Sequence, residues 1–252
     1  MSGELHISAS PVVIRLVQAL GALAQQVPTP EFAVIGGLAV MVRLEGAHRV
    51  TDDLDTVAIQ HGDDPITVEV VIGVKGTIEG TKVDCIGVGD VPAAELPLAN
   101  LPDDALDRAF VLSHRWALDT AENQVLGADY LDASASVTCR FANAGALVAM
   151  KLQAAPRRQG PRSQKAGGDL FDIFRLISHP ALTRAIASSL RSGPHDLGDW
   201  CAASVVDTFV DQAERTAAVI ARSGVAGANP PTAEELQRAA ELLVRWFKDS
   251  QP

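Results

Sequence analysis

Apolar residues first fall into a clear rhythm after Ser10-Pro11, where Val13, Leu16, Val17, Leu20 and Leu23 recur at helical spacing. Serine is a good N-cap and proline suits a first helical turn, so the pattern predicts a helix to about residue 26, ended by Pro28 and Pro30. The run Val34-Ile35 then enters Gly36-Gly37 and Leu38 to Leu44, which predicts strand, tight turn and helix. Leu54 to Ile59 reads as a second strand, and His61-Gly62-Asp63-Asp64-Pro65 breaks the chain. The β-branched stretches Ile66–Ile72 and Lys82–Ile86 predict two more strands, the first of which also reads as a short helix. A loop over 89–103 leads to a helix over Asp104–His114, with short strands at Trp116–Leu118 and Ser136–Arg140.

Past residue 140 the period changes. Alanine- and leucine-rich segments predict helices over about 143–155, 168–178, 181–191, 200–222 and 232–248. The last opens on Thr232-Ala233-Glu234-Glu235, a capping box, and places Leu236, Ala239, Leu243 and Trp246 on one face. The expectation is an α+β chain: a small mixed sheet of four or five strands flanked by helices over residues 1–140, then a helical domain over 141–252.

Composition narrows what such a chain does. Of 252 residues 47% are apolar, too many for a mainly disordered protein. No apolar run approaches the roughly 20 residues a membrane helix needs, and the N-terminus lacks a basic segment followed by an apolar one. A cytoplasmic protein with no membrane partner is therefore expected. Cys85, Cys139 and Cys201 are widely spaced with no Cys-x-x-Cys, which speaks against a disulfide framework or a zinc site. The net charge of −10 argues against coating nucleic acid by charge, and 4% aromatic residues offer few stacking platforms. A nucleic-acid substrate would be gripped at its end.

Two constellations carry candidate chemistry. In the first, glycines at Gly36-Gly37 let an anion approach the backbone at a helix N-terminus. Asp53 and Asp55, one residue apart on a strand, project from the same face while Leu54 points the other way. Asp52-Asp53-Leu54-Asp55 lacks the glycine and distant glutamate of a calcium loop, and the chain has neither a P-loop nor a Gly-x-Gly-x-x-Gly turn. Asp84 interrupts an apolar strand, where a carboxylate is costly unless paired, metal-bound or facing solvent on an edge. In the second, Lys151 is the one charge in the apolar helix Ala146–Ala154, so it either snorkels to the surface or meets an anion. Arg157, Arg158, Arg162 and Lys165 follow, a segment that also reads as a solvated loop, and then Asp169 and Asp172 share a helical face.

The order Gly36-Gly37, short helix, then Arg49-x-Thr51-x-Asp53-Leu54-Asp55 resembles the first motif of nucleotidyltransferases with the DNA-polymerase-beta-like fold. More narrowly it resembles the AbiEii-type toxins, which include the MenT toxins. Lys151, Arg157 or Arg158, Asp169 and Asp172 resemble the second motif of that family, so the likeness spans about residues 34 to 177 and leaves the final 75 residues unmatched. Gly37 stands where some relatives carry serine.

The resemblance implies a polymerase-beta-like sheet followed by a helical C-terminal domain that closes the nucleotide cleft. It implies that Asp53, Asp55 and Asp84, with Asp90 in reserve, hold Mg2+. It implies that Gly36 and Gly37, with Arg49 and Thr51 of the same motif, bind nucleotide phosphates, that Lys151 neutralises the triphosphate beside Arg157 and Arg158, and that Lys151, Asp169 and Asp172 join the catalytic set. The expected reaction moves NMP from an NTP to an acceptor hydroxyl, with an RNA 3′ end, tRNA above all, as acceptor, in a toxin matched by a cognate antitoxin. Three other readings fit the same residues: an antibiotic-modifying nucleotidyltransferase, a silent NTP-binding regulator, and an acidic interaction module.

Overall fold

The computed structural model describes residues 5–8, 10–27, 31–46, 49, 51–60, 76–78, 80–158 and 163–249. Its architecture is α+β, with a mixed seven-stranded sheet and nine α-helices among those residues. The chain divides into two compact units, residues 1–95 with 114–143, and residues 96–113 with 144–252.

The first unit holds the sheet. Its strands are β1 (Leu5–Ser8), β2 (Phe32–Val34), β3 (Asp53–Ile59), β4 (Thr77–Ile78), β5 (Thr81–Val88), β6 (Glu122–Tyr130) and β7 (Ala133–Phe141), in the spatial order β1-β6-β7-β2-β3-β5-β4. Helix α1 (Pro11–Gln26) starts as the sequence predicts, with Ser10 Oγ accepting from the Val13 N–H. Its buried stripe of Val13, Leu16, Val17, Leu20 and Leu23 packs on β6 and β7. β2 runs through Ile35 into α2 (Gly36–Arg43), and the Ile35 N–H donates to the Asp55 carbonyl at 2.9 Å. Arg43, at the end of α2, donates to the carbonyls of Phe141 and Ala142 and to Glu122 at 2.7–2.8 Å, which ties the helix to the end of β7.

Several expectations about this unit need correction. The sheet has seven described strands, not four or five. β1 and β6 were not foreseen, because a four-residue strand and the segment Glu122–Tyr130, apolar only at its centre, carry little local signal. Trp116–Leu118 is not a strand but the last turns of helix α3 (Ala105–Asp119). Such a short apolar run fits either state, and the helix already under way through Leu112 captures it. The stretch Ile66–Ile72 lies outside the described residues.

The second unit is helical: α4 (Ala144–Ala154), α5 (Ser163–Ser178), α6 (Thr183–Arg191), α7 (Leu197–Val206), α8 (Ala213–Ser223) and α9 (Ala233–Lys248). α4 is buried from Gly145 to Gln153, as a helix apolar on all sides must be. The single helix expected over 200–222 is instead α7 and α8 joined by a π-helical turn, Asp207–Asp211, where Thr216 Oγ1 donates to the Thr208 carbonyl at 2.7 Å. The capping box forms as read, with Thr232 and Glu235 exchanging hydrogen bonds at the start of α9. Leu236, Ala239 and Leu243 are buried with Phe247, while Trp246 is only half-buried and lies under Arg184 at 4.9 Å.

Candidate metal centre

β3 and β5 run parallel, with Asp53 opposite Lys82, Leu54 opposite Val83 and Asp55 opposite Asp84. Since side chains alternate across a strand, this register puts Asp53, Asp55, Lys82 and Asp84 on one face of the sheet and Leu54 and Val83 on the other. Leu54 and Val83 are buried in the core, whereas the three aspartates are half-buried. Each aspartate offers a carboxylate oxygen within 4.8 Å of the other two. That is a compact set of hard oxygen donors, the ligand type that Mg2+ favours, so the residues present fit such an ion. Asp90, the reserve candidate, is exposed beyond β5 and is not part of this group.

The turn before α2 is shaped around the same aspartates. Gly36 has φ of +68°, and a methyl group there would stand 2.7 Å from Asp55 Cγ, so only glycine permits the approach of that carboxylate. A methyl on Gly37 would stand 2.7 Å from Thr51 Oγ1 and 3.0 Å from Arg49 Nη2. The two glycines therefore receive Asp55, Thr51 and Arg49, all residues of the same sequence motif. Thr51, itself buried, donates from Oγ1 to Asp53 Oδ1 at 3.2 Å. The N-terminus of α2 carries no side-chain cap.

Lys82 was missed by the sequence reading. Its Nζ pairs with Asp84 Oδ2, and the side chains are 58% and 47% exposed. Hydrogen bonding to Asp84 holds the ammonium above the ordinary lysine pKa against the opposing pull of desolvation, with the charges of Asp84, Asp53 and Asp55 adding to it. The only local signal was Lys82-x-Asp84, two charges at strand spacing.

The same unit is also braced by part-buried polar contacts beyond the end of β5. Arg115 pairs with Asp119 at 2.6 Å and donates to the Gly89 carbonyl at 2.5 Å, while Asp119 accepts from the Ala93 N–H at 2.8 Å. These bonds fix the segment that leaves β5. Cys139 is enclosed, and burial pushes its thiol pKa up to about 12, which fits a core residue better than a nucleophile.

The second constellation assembles within the helical unit. Lys151 does not snorkel: its side chain is 8% exposed, and Nζ lies 3.0 Å from Asp169 Oδ1 and 2.8 Å from Asp172 Oδ2. Arg158 Nη1 lies 2.8 Å from Asp169 Oδ2. Arg157 pairs with Asp107 at 2.5 Å and sits 6.0 Å from the Phe110 ring. The cations of this segment that fall among the described residues up to Arg158 are thus held by carboxylates rather than spread through a solvated loop. Arg162 lies outside the described residues.

Among the described residues no helix is long and apolar enough to cross a membrane. No protein-family model matches the chain, and neither a curated protein nor a solved structure matches it.

Proposed function

We propose that the protein is a metal-dependent nucleotidyltransferase whose metal ligands are Asp53, Asp55 and Asp84. The observation that carries the reading is the convergence of three carboxylates from two parallel strands, backed by a glycine that exists to admit one of them. Mg2+ bound there would supply charge neutralisation of phosphates and acidify an acceptor hydroxyl. Thr51 orients Asp53 through its hydroxyl, and Gly36 sets the position of Asp55. Arg49, whose guanidinium stands against the same turn, would supply a charged donor to a phosphate oxygen bound there. The transfer of NMP from an NTP to an RNA 3′ end, tRNA above all, and the pairing with an antitoxin follow from the resemblance of both motifs to AbiEii-type toxins.

A second acceptor is favoured by charge. The sheet unit holds 7 lysines and arginines against 17 aspartates and glutamates, whereas the helical unit holds 14 of each. The whole net charge of −10 therefore belongs to the unit with the aspartate face. Such a field attracts cations and repels polyanions, which suits a cationic small molecule such as an aminoglycoside.

The test is to supply Mg2+, each α-labelled NTP in turn, and either total RNA or an aminoglycoside panel, and to follow the label. Label on RNA that disappears with Asp55→Asn supports the first reading; label on the small molecule supports the second. Binding of Mg-NTP without transfer would point to the silent regulator. No binding and no transfer would leave the interaction module and defeat the enzyme reading. Expression in a bacterial cell separates the two acceptors again, since growth arrest relieved by Asp55→Asn is expected only where an essential RNA is modified.

A further inference from the structure

Resting on the metal-site reading above, we propose that Lys82 is the built-in counter-ion of the Asp53, Asp55 and Asp84 cluster, an ammonium that yields its place to a divalent cation. Three carboxylates on one sheet face repel one another, and the strand register places a single lysine at the fourth corner of their rectangle. Its ammonium is seated on Asp84, whose oxygen is among those that converge. A group that already offers positive charge to a metal ligand competes with any ion entering the same cluster. Lys82 can withdraw because more than half of its side chain is exposed and its four-carbon stem is flexible. Tethered to β5, the released ammonium stays beside the cluster, where it would serve as a point charge for a nucleotide phosphate. Lys82 would thus link the two binding events, weakening the hold on bare metal and strengthening the hold on metal with nucleotide.

The experiment is a titration of Mn2+ into chelator-stripped protein, followed by calorimetry or by the spin resonance of free Mn2+, for the wild type, Lys82→Met, Lys82→Arg and Asp55→Asn. Lys82→Met keeps the length of the stem and removes the charge, so it should bind Mn2+ about 5- to 10-fold more tightly. Lys82→Arg should stay within about 2-fold of wild type, because it keeps the competing cation. Repeating the titration with a non-hydrolysable NTP present should reverse the order, with Lys82→Met the weaker. Mn2+ affinity unchanged or weakened in Lys82→Met, while Asp55→Asn loses binding, would overturn the role of Lys82 and leave the metal site standing. Wild type, Lys82→Met and Asp55→Asn all failing to bind Mn2+ would instead defeat the metal site, and the inference with it. Circular dichroism of each variant checks that it is folded.

Discussion

Asp53, Asp55 and Asp84 in the sheet unit, and Asp169 and Asp172 in the helical unit, are both carboxylate clusters with a lysine among them, yet they sit in opposite environments. The helical cluster is buried, with Asp172 at 0% and Asp169 at 4% exposure, and Lys151 and Arg158 supply one cation for each carboxylate. Buried charges persist only when so matched. The sheet cluster is half-exposed, keeps an exposed lysine at its margin, and lies in a unit where carboxylates outnumber cations by 17 to 7. The first arrangement is complete within the protein; the second is suited to an ion from outside. An aspartate cluster thus shows its role less by its residues than by its burial and charge balance.

The largest effect that could break this comparison is at Lys151. Lys151→Ala leaves Asp169 and Asp172 buried without their shared ammonium, and should cost roughly 3–5 kcal/mol of stability by guanidinium denaturation. Read from the sequence alone, the same substitution is close to neutral for a solvated lysine and costs no stability for one that faces a triphosphate. Replacing all three with Lys151→Met, Asp169→Asn and Asp172→Asn should recover much of the loss, because no buried charge of the trio then remains. An unchanged midpoint in Lys151→Ala would mean that the helical cluster is not a matched structural network.

Gly36→Ala comes next. The left-handed backbone and the clash with Asp55 should together cost about 2 kcal/mol and weaken Mn2+ binding, because the carboxylate must move. Stability lost with metal affinity intact would separate the glycine turn from the metal site.

Thr232→Ala provides a scale for an ordinary surface feature of the helical unit, with an expected loss of about 1 kcal/mol from the capping box. Hydrogen bonds from the Thr232 backbone and side chain hold the Glu235 carboxyl below its ordinary pKa of 4.5. A depressed carboxylate contributes above its unfolded pKa, so this part of the cap should be intact at neutral pH and fade as pH falls through the lowered value. Denaturation of wild type and Thr232→Ala at pH 7 and in acid should show the gap between the two midpoints narrowing without closing, since the bond from the Glu235 N–H to Thr232 Oγ1 does not titrate.

The smallest effect is the most informative about the sheet cluster. Asp84→Asn removes a half-exposed ion pair with Lys82 but also relieves repulsion from Asp53 and Asp55, so stability should change by less than about 1 kcal/mol. Mn2+ binding should nonetheless be lost. A change as large as that of Lys151→Ala would erase the contrast between the two clusters.

The sequence by itself determined what depends on neighbours along the chain. Alternation in Asp53-Leu54-Asp55 puts two carboxylates on one face, Ser10-Pro11 and Thr232-Ala233-Glu234-Glu235 start helices through local hydrogen bonds, and Leu236, Ala239 and Leu243 make one buried stripe. Each rests on a fixed residue period or on a contact within one turn. Tertiary structure decided the rest. That Asp84 and not Asp90 meets Asp55 follows from the β3 to β5 register, a pairing across 29 residues that no local pattern encodes. Lys82 gains its partners by the same register. β1 and β6 exist because other strands supply their hydrogen bonds, not because Leu5–Ser8 or Glu122–Tyr130 are strong strand formers. And whether Lys151 reaches water or is enclosed with Asp169 and Asp172 is a matter of how α4 and α5 pack, since burial is a property of the assembled core and not of any one segment.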